Sequence, residues 1–367
     1  MKAIAVLPGK PNSIHIRDVP DPPMSPEHVL VQTIRVGLCG TDADIARGEY
    51  GQAPPGDEYL VLGHENFGVV LETGSQVTEF AKGDFVVSTV RRPCGSCYNC
   101  EHGESDFCTT GKYTERGIMR RHGFMSERYS EVPLYMNKIA PQVAPVGVLL
   151  EPMSVVEKGI DQAFRIQRRV HWEPAQVAVL GAGPVGILAA AILRNQDLPC
   201  VVVGREESGG FQSQIVEMIG GEYFSVGDSS VCELGKKYKQ IDLIVEATGS
   251  PRVAFDAMQI LSPNGALCLL SVTGGHIDQS EPIAVINQDL VLRNNVVFGS
   301  VNANVRHFRM GAQHFVEIEQ KWPGALARLI TNKLPMTAYQ DWFDRKIKGI
   351  KTTLEFAGDA ASGEVAA

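Results

Sequence analysis

Residues 177–186 read VAVLGAGPVG, a short apolar run followed directly by three glycines in the spacing GxGxxG. The run predicts a buried strand, and the apolar residues after Gly186 predict a helix. Gly181 permits a tight turn, Gly183 lets a pyrophosphate approach the backbone, and Gly186 lets the helix pack on the strand. A glycine-rich turn without a ligand is the alternative for the motif alone, but a strand before it and a helix after it favour a dinucleotide site. The predicted contacts are Gly181, Gly183, Pro184, Val185 and Gly186.

Similar short apolar runs follow along the chain, separated by helical patterns. The predicted strands lie at 176–180, 200–203, 241–247 and 266–271, and the clearest helix lies at 186–193. Buried strands that alternate with helices are typical of a parallel α/β sheet. Residues 1–90 differ, because short strand-like runs alternate there with turn-rich segments such as VPDPPMSPE and predict a β-rich body. Helical patterns return at about residue 304, and GIKTTLEF (349–356) predicts a last strand.

The second strand of the α/β region ends in Gly204-Arg205-Glu206, where an NAD enzyme usually has an acidic residue for the ribose 2′-hydroxyl. Gly204 leaves room for a 2′-phosphate, and Arg205 can give it charge-assisted hydrogen bonds. The three residues therefore predict a preference for NADP over NAD. Glu206 could instead accept the ribose hydroxyl, so use of both cofactors stays open.

Four cysteines lie close together in a segment that is rich in turn residues. They are Cys94, Cys97, Cys100 and Cys108. Four thiolates on a short loop can surround one Zn²⁺ at about 2.3 Å and fill all its positions, which predicts a structural metal site. Two disulfides are the alternative, and they would require an oxidising compartment.

A second candidate metal site combines Cys39, which follows the apolar run VQTIRVG, with His64 and Glu65 of GHE. Each alone has an ordinary interpretation as a buried thiol, a core histidine or a solvated carboxylate. In a chain that also has a structural zinc loop and a nucleotide motif, they predict a catalytic zinc with an exchangeable position.

With these motifs the chain resembles the zinc-containing medium-chain alcohol dehydrogenases over nearly its whole length. Within that superfamily it is similar to the NAD(P)-dependent glucose dehydrogenases best known from archaea, in the runs GLCGTDADIARGEYG, LVLGHENFGVV, VVSTVRRPCGSCYNC, YTERGIMRRHGFMSE, LLEPMSVVEKGI and GSVNANVRHF. The resemblance implies a GroES-like β-rich catalytic domain at 1–155 and 304–367, with a zinc lobe at 91–112. A doubly wound Rossmann domain at 156–303 is inserted into it, and the active site is expected in a cleft.

The resemblance also implies roles for individual residues. Cys39 and His64 ligate the catalytic zinc, Glu65 and Glu151 approach it directly or through water, and Thr41 belongs to a proton relay. The implied sugar or nicotinamide contacts are Thr41, Thr89, Glu115, His122, Glu151 and Asn302. Further cofactor contacts are Ser271, Thr273, Asn302 and Lys351, with Lys351 on the pyrophosphate. For Glu115, His122 and Asn302 the alternative is ordinary loop polarity.

The expected reaction moves a hydride from C1 of an aldose, D-glucose first, to NADP or NAD and gives the aldonolactone. Several carboxylates and an amide suit a polyhydroxylated substrate, since each sugar hydroxyl needs a partner once water is expelled. One alternative is a zinc-dependent polyol or amino-alcohol dehydrogenase of the sorbitol or threonine type. Another is an NADP-binding zinc protein without turnover.

Composition limits the partners and the compartment. A length of 367 residues suggests about two domains, and the net charge of −8 disfavours nucleic acid or an anionic membrane as partner. The chain has no run of eighteen apolar residues, and MKAIAVLPGK is not an export leader, so a cytoplasmic location is expected. The basic pairs Arg91-Arg92 and Arg120-Arg121 predict a solvated loop or a local anion contact. The resemblance implies a homodimer or homotetramer.

Overall fold

The computed structural model describes residues 1–227, 229–272 and 283–356, and the chain divides into two compact units. The first unit comprises Met1–Ser154, Asn302–Val316 and the described chain from Leu329 onward; the second comprises Val155–Val301 and Glu317–Arg328.

The strands and helices follow one another in the order that the sequence patterns indicate. The strands are β1 (Lys2–Val6), β2 (His15–Asp18), β3 (Val29–Gly37), β4 (Leu60–Val61), β5 (Glu65–Thr73), β6 (Phe85–Ser88), β7 (Arg91–Arg92), β8 (Thr114–Arg116), β9 (Arg120–Arg121), β10 (Arg128–Glu131), β11 (Met136–Lys138), β12 (Val177–Leu180), β13 (Cys200–Gly204), β14 (Glu222–Ser225), β15 (Leu243–Glu246), β16 (Ala266–Leu269), β17 (Val296–Gly299), β18 (Ile330–Pro335) and β19 (Lys351–Glu355). The helices are α1 (Gly40–Ala46), α2 (Tyr98–Glu101), α3 (Leu150–Gln167), α4 (Pro184–Asn195), α5 (Phe211–Met218), α6 (Cys232–Lys237), α7 (Pro251–Ile260), α8 (Ile283–Leu292), α9 (Val305–Lys321) and α10 (Tyr339–Phe343).

The first unit is built around β3, which pairs antiparallel with β5, β10 and β19. The strand order of this sheet is β11-β6-β5-β3-β19-β18, and a second sheet has the order β2-β1-β4. Apolar side chains of β1 and β3, such as Ile4, Val29 and Val31, are fully buried in the same core as Phe124. The segment from β1 to β6 is therefore β-rich, as predicted.

A small sheet, β7-β8-β9, carries two arginine pairs of the sequence. Arg91 of β7 lies opposite Glu115 of β8, and Arg92 lies opposite Thr114. Successive side chains of a strand point to opposite faces, so Arg91 and Arg92 lie on opposite faces of this sheet and contact different residues.

The second unit is a parallel sheet with the order β14-β13-β12-β15-β16-β17. Helices α4 to α8 connect its successive strands. Counted from β12, the order is 3-2-1-4-5-6, the doubly wound arrangement in which ligands bind where the order reverses, beyond the carboxyl ends of the strands. That reversal lies between β12 and β15, and the glycine motif follows β12 directly.

The predicted domain limits at 155/156 and 303/304 stay a prediction. The observed units divide at 154/155 and 301/302, and they place Glu317–Arg328 in the second unit. This stretch groups with the second unit because Asn195 donates to Glu317 at 2.7 Å and Lys321 donates to Asp197 at 2.7 Å. In the part of the chain that the structure describes, the helices are too short or too polar to cross a bilayer.

Candidate active site

The four clustered cysteines come together in the loop between β7 and β8. Their sulfur atoms all lie within 4.8 Å of one another. α2 begins directly after Cys97 and turns the chain, so that Cys100 Sγ lies 3.3 Å from Cys97 Sγ and 3.8 Å from Cys94 Sγ. All eight cysteines of the chain lie in the described residues and are free thiols, so the disulfide alternative is not the observed state.

The donor set of this lobe suits a zinc ion. A hydrogen bond from Thr110 lowers the pKa of Cys94 to about 5, whereas burial raises the pKa of Cys100 to about 12. Thiols this close cannot all lose their protons unless a cation offsets the repulsion between them. Four sulfur ligands are typical of structural zinc and leave no position for substrate.

A second cluster joins Cys39, His64 and Glu65, with one ligating atom of each within 4.8 Å of the others. Gly37 of β3 pairs with Glu65 of β5, and Cys39 follows two residues later, which brings it beside His64. The distance from Cys39 Sγ to His64 Nε2 is 3.0 Å. A thiolate, an imidazole and a carboxylate are the donor set of a catalytic zinc, so the residues present fit the metal.

Asp42 is a site residue that the sequence analysis missed. It is fully buried in α1; its Oδ2 accepts a hydrogen bond from the Cys39 amide at 3.1 Å, and its Oδ1 lies 3.6 Å from His64 Nδ1. Neither Oδ1 nor Nδ1 has a hydrogen-bond partner among the described residues. Burial opposes a charge on His64, but Cys39 and Asp42 raise its pKa well above the ordinary value. The available signal was the acidic residue in CGTD, at a capping position three residues after Cys39.

Lys351 lies beside this cluster. Its Nζ donates to Glu65 Oε1 at 2.6 Å, and both side chains are buried. Burial favours neutral lysine, yet Glu65 and Cys39 raise the pKa of Lys351 above its ordinary value, so it stays charged and balances Glu65. The structure thus gives Lys351 a carboxylate partner, and its contact with a pyrophosphate stays a prediction.

Glu151 lies in the first turn of α3 and is not one of the three clustered ligands. Burial and the nearby charge of Glu65 raise its pKa to about 7, while His64 and Lys351 act in the opposite direction. Glu151 therefore interacts electrostatically with His64 and Glu65 of the cluster, whereas direct ligation of the metal by Glu151 stays a prediction.

The two predicted threonines differ in their surroundings. Thr41 lies in α1, partly buried, and its hydroxyl forms no hydrogen bond with the described residues, so a relay role is open to it. Thr89 is buried, and its Oγ1 accepts a hydrogen bond from Arg92 at 3.0 Å. Only the second lone pair and the proton of the Thr89 hydroxyl are therefore available to a substrate.

Glu115 and Asn302 are brought together from distant parts of the sequence. Asn302 Nδ2 donates to Glu115 Oε1 at 2.7 Å, and Asn302 Oδ1 accepts from the Ala303 amide at 2.7 Å. Asn302 has a φ of 61°, a left-handed conformation that asparagine tolerates better than most residues. The structure thus joins an amide and a carboxylate, and their contact with a sugar stays a prediction.

His122 does not share this arrangement. Its Nδ1 accepts from the Val61 amide at 3.2 Å, so its Nε2 carries the proton and donates to Asp57 at 3.1 Å. The ring stacks on Tyr59 with centroids 4.8 Å apart. Both ring nitrogens are used within the protein, and a contact of His122 with a sugar stays a prediction.

In the second unit the glycine motif forms the predicted turn. Gly181 has a φ of 106°, Gly183 caps α4, and Pro184 is its first residue. A Cβ on Gly186 would lie 1.8 Å from the Gly181 carbonyl oxygen, so only glycine fits there. Strand, turn and helix are therefore in the arrangement that a dinucleotide requires.

Gly204 ends β13 for a reason that the sequence analysis did not foresee. A Cβ there would lie 2.1 Å from the hydroxyl of Tyr223, which itself donates to the Glu206 carbonyl at 3.2 Å. Arg205 and Glu206 follow in an exposed bend. Arg205 is thus available to a cofactor phosphate, while its contact with one stays a prediction.

The last two predicted cofactor contacts follow β16. Ser271 donates its hydroxyl to Glu246, a buried carboxylate that also accepts from the Thr248 amide at 2.6 Å. Glu246 pairs in register with Leu180, next to the glycine motif. Thr273 lies outside the described residues.

The comparisons with known proteins agree with this geometry. Residues 144–356 match the family model described as glucose dehydrogenase C-terminus, and residues 25–134 match the alcohol dehydrogenase GroES-like domain. The chain belongs to the glucose dehydrogenase family of zinc-dependent medium-chain dehydrogenases. This confirms the family and the fold class expected from the sequence.

Relatives in the glucose dehydrogenase family match nearly the whole chain. The chain is 40% identical to glucose 1-dehydrogenase of Methanocella arvoryzae over 97% of its own length and 99% of the relative. It is 41% identical to glucose 1-dehydrogenase 1 of Caldivirga maquilingensis, with coverage of 97% and 99%. The structure of Haloferax mediterranei glucose dehydrogenase in complex with NADP, Zn and gluconolactone matches with a TM-score of 0.85, 34% identity and coverage of 97% and 99%.

Proposed function

We propose that this protein is a zinc-dependent glucose 1-dehydrogenase that oxidises an aldose at C1 to the aldonolactone, with NADP as the preferred acceptor. The observation that carries the proposal is the Cys39, His64 and Glu65 cluster in a chain whose full-length relatives are named glucose 1-dehydrogenase. A related structure of the same fold contains NADP, zinc and gluconolactone, which supports the same substrate and cofactors here.

Residues of the first unit would have separate roles in holding the metal, moving the proton and binding the sugar. When bound, zinc supplies a Lewis acid at the C1 hydroxyl of the sugar, and NADP supplies the hydride acceptor. Asp42 faces His64 Nδ1 at 3.6 Å while His64 Nε2 lies towards Cys39, and Lys351 offsets the charge of Glu65. Thr41 would accept the proton of the reacting hydroxyl while giving its own proton to the cofactor ribose or to bound water, since its hydroxyl forms no hydrogen bond with the described residues. Glu115 and Asn302 would bind other sugar hydroxyls and keep C1 in place.

Initial rates on the purified protein test this proposal. Glucose, galactose, xylose, sorbitol and threonine are each offered with NADP and with NAD, before and after a zinc chelator, and zinc content is measured alongside. We expect chelator-sensitive oxidation of glucose, faster with NADP than with NAD, in protein that holds two zinc ions per chain. Activity confined to sorbitol or threonine would show that the substrate is a polyol or an amino alcohol and not an aldose. Two bound zinc ions without any turnover would contradict the assignment as an enzyme.

Arg205 gives a specific prediction for cofactor choice. An Arg205→Ala variant should lose about 10- to 100-fold in kcat/KM for NADP, because a charge-assisted hydrogen bond to the 2′-phosphate contributes about 1.5–3 kcal/mol. Its kcat/KM for NAD should change less than about twofold. Arg168→Ala, at another exposed arginine of the same unit, is the matched control. An equal loss with both cofactors would show that Arg205 does not read the phosphate.

We also propose that the protein self-associates through its second unit. β17 is an edge strand, and α8 exposes several large apolar side chains. These are Ile283, Val285, Val291 and Leu292, each at least half exposed. A large exposed apolar patch marks an interaction site, and a second copy of the chain is the partner that the expected homodimer or homotetramer supplies.

We also propose a reducing compartment such as the cytoplasm, which the free thiols of the chain support.

A further inference from the structure

Arg91 is a nearly buried arginine whose whole guanidinium is engaged inside the first unit. Its Nε and Nη2 donate to Glu115 Oε1 at 3.1 and 2.9 Å, and its Nη1 donates to the Asp106 carbonyl at 2.7 Å. The group also stacks over Tyr113, 4.1 Å from the ring centroid. An arginine held by three hydrogen bonds and a ring has little freedom to move.

The bonds to Glu115 all fall on one of its two oxygens. Oε1 accepts from Arg91 twice and from Asn302 at 2.7 Å. Oε2 accepts from no donor among residues 1–227, 229–272 and 283–356, although the side chain is only 8% exposed. A carboxylate held through one oxygen presents the other in a fixed direction, ready for a hydroxyl donor.

The same contacts join Glu115 to the four-cysteine lobe. Arg91 holds the carbonyl of Asp106, in the turn just before Cys108. On its other side this turn is bound by Asn304, whose Nδ2 donates to the Gly103 carbonyl at 2.7 Å. Asn304 lies two residues after Asn302, which itself donates a hydrogen bond to Glu115. A continuous series of hydrogen bonds therefore links the cysteine lobe to Arg91, Glu115 and residues 302–304, and back to the lobe.

We propose that Arg91 is a positioning residue for the sugar: it fixes the Glu115 carboxylate so that Oε2 meets a sugar hydroxyl, and it ties that carboxylate to the cysteine lobe. This inference rests on the proposed function. Lysine could keep the charge but not the planar fork that binds Glu115 and Asp106 together, so the role is specific to arginine.

Steady-state kinetics with glucose and saturating NADP test the proposal in the zinc-loaded enzyme. Arg91→Gln should raise the KM for glucose by about 10-fold or more, since the sugar must then order Glu115 itself, while kcat changes less than about threefold. Arg91→Lys should lie between Gln and wild type. The Kd for NADP, measured by fluorescence quenching, should not change in either variant.

A double-mutant cycle separates positioning from a general effect on the fold. Glu115→Gln alone should also raise the KM for glucose, and adding Arg91→Gln to it should raise the KM by less than about threefold more, because the two residues act on one contact. Arg306→Gln is the control, since it breaks the paired hydrogen bonds to Glu104 of the same lobe at 2.9 and 2.8 Å without touching Glu115. Its KM should stay within about twofold of wild type.

The results that overturn the inference are distinct from those that overturn the proposed function. An unchanged KM in Arg91→Gln, an equal effect of that change in the Glu115→Gln background, or a matching rise in Arg306→Gln would reduce Arg91 to a structural member of the lobe. Failure of the proposed function would appear earlier, as absent aldose oxidation by the wild type. Arg91→Lys and Glu115→Gln keep charge or shape, so they give a folded comparison if Arg91→Gln does not fold.

Discussion

A His64→Ala variant should bind one zinc ion per chain instead of two and lose at least about 10³-fold in kcat/KM for glucose. His64 Nε2 lies 3.0 Å from Cys39 Sγ, and its ring is buried beside a buried carboxylate, so few other groups could replace it as a ligand. Loss of a Lewis acid removes several kcal/mol of transition-state stabilisation, and each 1.36 kcal/mol is a factor of ten in rate. Zinc analysis and initial rates measure the two effects.

Two further variants make the His64 result specific. Asp42→Asn keeps the ligands but alters the group facing His64 Nδ1, and we expect it to cost about 10- to 100-fold in activity or metal affinity. Cys232→Ser changes a partly exposed thiol outside both clusters and should leave two zinc ions and full activity. Full zinc content or near-normal turnover in His64→Ala would remove Cys39, His64 and Glu65 as the metal site.

The second unit was predictable from local patterns because strands buried on both faces are continuous apolar runs. VAVL at 177–180 is β12, CVVVG at 200–204 is β13, and the glycine spacing marks the turn at the switch point. These signals depend only on neighbours in sequence. The four-cysteine cluster was equally accessible, since four cysteines with this spacing have few other uses. The cluster of Cys39, His64 and Glu65 was recognised only because the zinc loop and the nucleotide motif lie in the same chain.

Contacts between distant residues were not predictable in the same way. The pair Arg91-Arg92 indicated a solvated loop or a local anion contact, and the structure shows the second: Arg91 binds Glu115 and Arg92 binds Glu131. No local signal tells which carboxylate, 24 or 39 residues away, each arginine meets. Lys351 and Glu65 are 286 residues apart and meet because β19 pairs with β3 beside β5.

Replacement of Glu131 by Gln should produce the largest loss of stability in the first unit, about 3–5 kcal/mol of unfolding free energy. Glu131 is 1% exposed; its Oε2 accepts from Arg92 and, at 2.8 Å, from Arg116, while its Oε1 lies 3.7 Å from Arg121. Glutamine would leave three cations around a neutral group, two of them buried. Urea denaturation followed by circular dichroism measures the change, with Glu72→Gln, at an exposed glutamate of β5, expected within about 0.5 kcal/mol of wild type.

The pH dependence of the same pair of proteins isolates the charge of Glu131. Burial alone would raise its pKa, but Arg116 and Arg92 override burial and lower it from 4.5 to about 2. A pKa that is lower in the folded state stabilises the fold fully above the unfolded value and less as pH falls towards the folded value. The wild type should therefore lose about 3 kcal/mol of its advantage over Glu131→Gln between pH 4.5 and 2, since each pKa unit corresponds to about 1.4 kcal/mol. A difference between the two proteins that stays constant across this range would show that packing, and not the carboxylate charge, accounts for the stability of the cluster.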